Sequence, residues 1–150
     1  MKTIGKYKKN TKRNTRRVNK TTAYSHHKIV EIFLQMLNTV KLYHWKTTSY
    51  AQHKATDELY SNLNKNIDSF IEIMLGKTGN RINMSPCIKL PLSACSSSEC
   101  FKREIVRYKN FLINMNTDAK LTAAYNSDLI TIRDELLGNL NQFSYLMTFK

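Results

Sequence analysis

The chain has few of the residues that break or cross-link a backbone. Among 150 residues there are four glycines, two prolines and three cysteines. So few glycines fit a globular domain, and three cysteines require no disulfide lattice. Both prolines, Pro86 and Pro91, fall in one stretch, so the rest is free to be helical. No run approaches 18 apolar residues, which excludes a membrane-spanning helix. The basic start lacks the apolar stretch of a secretory signal, so the expected location is intracellular or inside a virion. Acidic residues are also missing at the start, where the first is Glu31.

What the sequence does have is positive charge, 24 Lys and Arg against 11 Asp and Glu, for a net +13 at pH 7. Ten of those bases lie in residues 1–30, and the remaining 120 residues are close to balanced. Two different objects are therefore joined. Residues 1–22 form a basic arm in which only Ile4, Tyr7 and Val18 are sizeable apolar groups. That is too little burial to offset ordering entropy, and the segment is expected to be disordered when alone. Lys6, Lys8, Lys9, Lys12, Arg13, Arg16, Arg17 and Lys20 are the candidate nucleic-acid contacts, neutralising phosphates without reading sequence. A solubilising tail and a localisation signal are the competing readings.

Residues 23–150, 41% of the whole chain being apolar, are long enough for one domain with a sizeable core. Apolar positions recur every three or four residues in four segments: A over 23–46, B over 50–76, C over 97–116 and D over 127–148. Ser49 to Gln52 reads as a capping box at the start of B, and Ser96 to Glu99 as another at the start of C. Gly76 and Gly79 read as the stop of B. A short helical piece is expected around Leu121 to Tyr125, and Gly138 inside D, costing about 1 kcal/mol relative to Ala, is tolerable if another backbone packs closely there. Residues 77–95 form a long connector. The predicted class is all-α, a four-helix bundle. The long B–C connection suggests the ferritin-like, one-crossover topology, with a plain up-down bundle as the alternative.

Of four histidines, His44 falls on the apolar face of A and His53 opens a row on B. His53 and Asp57, then Asp68 and Glu72, are paired at i,i+4, and the spacing keeps all four on one broad side of the helix. Buried-facing imidazoles and carboxylates need a cation or basic partners, and a mixed N/O set suits iron, manganese or zinc. The competing reading is a solvated edge in which His53 donates to Asp57. C and D contain no histidine, so any metal site has to be built from A and B.

Tyr43-His44-Trp45 followed by His53, Asp57, Leu59-Tyr60, Asp68 and Glu72 resembles the ferroxidase signature of Dps proteins, the DNA-binding ferritin-like proteins of starved bacterial cells. The run from Leu42 to Gly76 is similar also to uncharacterised ferritin-like proteins of large DNA viruses. The resemblance implies an iron site between two subunits, with His44, His53 and Asp57 from one chain and Asp68 and Glu72 from its neighbour. It implies oxidation of Fe(II) by peroxide or oxygen, with Trp45 an oxidisable neighbour, in a homo-oligomer, a dimer or a hollow dodecamer. It also implies DNA as the partner of the arm. Two departures stand out: the His44 to His53 gap is three residues shorter than the family's, and Ile73 stands where the family carries an Arg. Cys87, Cys95 and Cys100 match no zinc knuckle and read as reduced thiols, one of which could bridge subunits under oxidation. The alternative function is a non-catalytic structural or packaging protein on the same scaffold.

Overall fold

The structure, a computed structural model, describes residues 24–82 and 89–149. The predicted arm with Lys6, Lys8, Lys9, Lys12, Arg13, Arg16, Arg17 and Lys20, and also Cys87, lie outside the described residues. Four helices make up the described chain: α1 (His26–Lys46), α2 (Tyr50–Thr78), α3 (Ser98–Asn114) and α4 (Ser127–Leu146). There is no strand among the described residues, and no helix there is long and apolar enough to cross a membrane.

α1, α2 and α3 each start at a serine cap, though not always the predicted one, while α4 starts at Asn126 without a side-chain capping bond. Ser25 Oγ accepts the Lys28 amide at 3.3 Å, so α1 begins three residues later than the periodicity suggests. Ser49 caps α2 as expected and accepts from Gln52 N at 3.4 Å. The reciprocal half of that capping box is missing, because Gln52 Oε1 is taken by the Tyr43 and Thr47 hydroxyls at 2.6 and 3.2 Å. α3 is capped by Ser97 instead of Ser96, and Glu99 accepts instead from the Ser98 hydroxyl. Glu99's own amide, followed by that hydroxyl, holds its carboxyl below the usual range. α2 runs through Gly76 and stops only at Gly79, whose φ of 67° gives the left-handed C-cap that other residues resist. The expected helical piece near Leu121 is a 3₁₀ turn, Ala124–Asn126.

Contacts at the two ends set the helix directions. At one end Tyr24, just before α1, bonds through its amide to Asp118 past the end of α3, and Lys77 near the end of α2 pairs with Asp128 at the start of α4 at 3.1 Å. At the other end Tyr43 of α1 stacks on Phe101 in the first turn of α3, with centroids 4.0 Å apart. Phe101 in turn meets Phe143 near the end of α4. α1 and α4 therefore run one way, and α2 and α3 the other. α1 packs on α2 and α3, and α4 packs on the same two, while α2 and α3 lie across the diagonal. Parallel diagonal helices require their connector to travel the bundle's length, about 43 Å for a 29-residue helix. That is why the connector is long.

The core is knit by Phe33 of α1, fully buried between Phe70 of α2 and Phe111 of α3 in edge-to-face contacts at 5.3 and 6.2 Å. Tyr108 is buried with its hydroxyl 2.8 Å from that of Thr39, and its burial raises the phenol pKa. Three features were not visible in the sequence. Cys95 and Cys100 form a disulfide across the α3 cap instead of remaining thiols, so neither is left to bridge subunits. Arg133 is buried on α4, its Nη1 donating to Leu112 O near the C-terminal end of α3. Asp134 Oδ1 lies 3.0 Å from Arg133 Nε as an ion pair, without hydrogen-bond geometry.

Gly138 is the third feature. No backbone packs against it: a Cβ placed there meets nothing within 4 Å, and the position is exposed. Its entropic cost in the helix is therefore uncompensated within the chain. Gly138→Ala is expected to stabilise the bundle by about 0.5–1 kcal/mol, raising Tm by roughly 2–4 °C in a thermal melt. An unchanged or lowered Tm would mean the position is packed in solution.

Candidate functional site

The sequence-predicted ligands converge at the α1–α2 turn, but only in part. α1 places His44 on its inner face in the last turn, and only three residues, Thr47–Ser49, separate α1 from α2. The short turn does not keep His44 away from His53. Their rings stack with centroids 3.9 Å apart and planes 24° from parallel. The hydrogen bonding is reciprocal: His44 Nδ1 lies 3.1 Å from His53 O, and His53 Nδ1 lies 3.1 Å from His44 O. A carbonyl only accepts, so each Nδ1 donates in these bonds, and Nε2 is the ring nitrogen that they leave unused. Backbone-held Nδ1–H is the arrangement that orients a metal-binding imidazole.

Asp57 stands one turn beyond His53, with Oδ1 4.0 Å from His44 Nε2. Thr56 Oγ1 is 3.2 Å from His44 Nδ1 and also donates to Gln52 O and His53 O. Buried Thr56 thus seals the inner side of the pair, while Asp57 borders its outer side. No signal in the sequence pointed to Thr56, and Gln52, expected as a capping-box partner, instead receives the Tyr43 and Thr47 hydroxyls because the turn is so close.

Asp68 and Glu72 do not join them. They lie 11 and 15 residues beyond Asp57 on the same helix, about 16 and 22 Å along its axis. The expectation that the set is buried-facing is corrected too. His44 is buried, whereas His53, Asp57, Asp68 and Glu72 face outward. They face outward because the inner side of α2 is filled by Leu59, Leu63, Ile67, Phe70 and Met74. Among the described residues no three His, Cys, Asp or Glu side chains are grouped to hold a metal ion within one chain. Trp45 projects outward with 68% of its surface exposed, and Lys41 Nζ lies 5.8 Å from its ring centroid.

A family model matches residues 44–147, from His44 almost to the end of the chain. The chain belongs to the family of unknown function DUF5856. No curated protein and no solved structure matches it. The DUF5856 match contains every candidate ligand from His44 to Glu72 together with α2, α3 and α4, and leaves out the basic arm and most of α1.

The two imidazoles are expected to respond differently to truncation. His44→Ala removes a buried ring and leaves a cavity at the turn, costing about 2–3 kcal/mol in a urea titration. His53→Ala removes an exposed ring and should cost less than about 1 kcal/mol. Equal losses would contradict the placement of one ring inside and the other at the surface.

Proposed function

We propose that the chain is a Dps-like, ferritin-fold protein that binds nucleic acid through its basic arm and binds and oxidises Fe(II) at a site shared between two copies. The observation that carries this reading is the stacked pair of His44 and His53, each with Nδ1 held by the other's carbonyl, with His44 Nε2 4.0 Å from Asp57 Oδ1. The helix order supports the ferritin-like assignment: two antiparallel pairs, one full-length crossover and parallel diagonal helices. Asp68 and Glu72 are on the same outward side of α2 as His53 and Asp57, well separated along the axis. A two-fold related α2 running antiparallel would set the carboxylate pair of one chain against the histidines of the other.

In this reading His44, His53 and Asp57 of one copy and Asp68 and Glu72 of the next hold Fe(II) as substrate. Two Fe(II) each give one electron to peroxide, which takes up two protons and leaves as water. Mineral is retained within the oligomer, and Trp45 is positioned to intercept stray oxidant. Nucleic acid, DNA by resemblance, is held by Lys6, Lys8, Lys9, Lys12, Arg13, Arg16, Arg17 and Lys20 and is protected or compacted.

A second reading has a specific observation behind it. His44 is already satisfied by Thr56 and the His53 carbonyl, as a hydrogen-bonded core histidine would be. A structural or packaging protein, in a virion or on a nucleoid, would need nothing more from the site. Anaerobic Fe(II) titration of the full-length protein followed by peroxide separates the two. The ferroxidase reading predicts saturable binding and accelerated oxidation that Asp68→Ala, an exposed substitution, reduces at least about tenfold. No saturable binding in the unsubstituted protein would leave the packaging reading.

A further inference from the structure

Charge on the bundle is segregated by side. α3 carries Lys102, Arg103, Arg107 and Lys109 against Glu99 and Glu104, and its neighbour α1 carries three lysines against Glu31. On the opposite side α2 has four carboxylates against three lysines, and α4 has three against the buried Arg133. Because α1 packs on α3, and α2 on α4, the bundle has one basic and one acidic side.

The basic side also has a shaped feature. An open groove of about 520 Å³ lies between the start of α1 and the outer face of α3. Arg103, Arg107, Asn110 and Asn114 line it at i, i+4, i+7 and i+11, a row of donors about 16 Å long on one stripe of the helix. Arg103 makes no ion pair among the described residues. Arg107 uses Nε and Nη2 on Glu104 at 2.9 and 2.8 Å, which leaves the rest of its five donors unassigned. Val106 between them is 49% exposed, an apolar group at the surface of the stripe. Tyr24 closes one end of the groove, its ring edge-to-face with Phe111 at 5.2 Å. Tyr24 is also where the described bundle begins, and the chain before it holds nine bases and no acid.

We propose that the Tyr24–α3 groove is a second nucleic-acid contact, a phosphodiester-binding stripe on the bundle continuous with the arm. It rests on the nucleic-acid reading above and adds an oriented surface to it. A row of repeated guanidinium and amide donors suits a repeated anion better than a single one. The acidic α2–α4 side cannot face the same polymer, so binding orients the bundle with α3 toward the nucleic acid and the outward row of α2 away from it. That leaves His53, Asp57, Asp68 and Glu72 free for a second copy.

The test uses the full chain and a random-sequence DNA duplex of about 30 base pairs, with affinity measured against salt. Arg103→Gln/Arg107→Gln should make the log K against log salt slope shallower by about two and weaken binding roughly tenfold or more at 0.1 M salt. Lys54→Gln/Lys65→Gln, the same charge change on α2, should leave the slope unchanged. Wild-type binding with an unaltered slope in the α3 variant, or equal effects of the two variants, overturns the groove but not the arm. Absence of wild-type binding overturns both. Displacement of the duplex by polyglutamate as readily as by unlabelled DNA overturns the groove's assignment to phosphodiesters.

Discussion

The three-residue turn between α1 and α2 is the constraint on which the rest depends. It is tied from both sides: the Tyr43 and Thr47 hydroxyls converge on Gln52, and the Ser49 amide is held by Thr47 Oγ1 at 3.2 Å. A turn this short makes the two helices antiparallel neighbours and brings the last turn of one over the first turn of the other. The His44 and His53 rings consequently exchange hydrogen bonds with each other's carbonyl across the turn. The same closeness places Thr56 beneath the rings, and Tyr43, tied to Gln52 at the turn, stacks on Phe101 of α3. Site and core are therefore positioned by one piece of backbone.

With α1 and α2 paired, the second constraint is that α3 runs parallel to α2 across the diagonal. The connector then has to travel the length of the bundle, and it arrives at α3 closed by the Cys95–Cys100 disulfide over the Ser97 cap. A loop this short between bridged cysteines restricts the unfolded chain modestly, by about 2 kcal/mol at most. At the opposite end, Lys77 lowers the pKa of Asp128 by hydrogen bonding and ties α2 to α4. The ring of contacts that results puts α1 beside α3 and α2 beside α4. Helices whose net charge alternates along the sequence are thereby sorted onto two sides.

Much of the fold was legible because helical periodicity is a local signal. Four amphipathic segments, the Ser49 cap and the Gly79 stop were all visible in residue order. The α3 cap was missed by one residue because Ser96, Ser97 and Ser98 are chemically interchangeable there, and only tertiary contact chooses among them. The disulfide was missed because the cysteine spacing fits no zinc motif and says nothing of a loop folding back on its helix. Buried Arg133 carried no local signal, because its partner, the Leu112 carbonyl, is 21 residues away. The candidate site was legible in composition but not in exposure. Spacing put His53, Asp57, Asp68 and Glu72 on one side of a helix, but could not say that the side faces outward.

That outward row gives the functional account its central claim, a site completed by two chains. Heterologous complementation addresses it directly. A His53→Ala/Asp57→Ala chain and an Asp68→Ala/Glu72→Ala chain are each expected to be inactive in Fe(II) oxidation. Unfolding and refolding them together in equal amounts should restore about a quarter of the unsubstituted protein's activity, because half of two-fold pairs are mixed and each mixed pair regains one intact site of two. A mixture no more active than either parent would contradict a shared site.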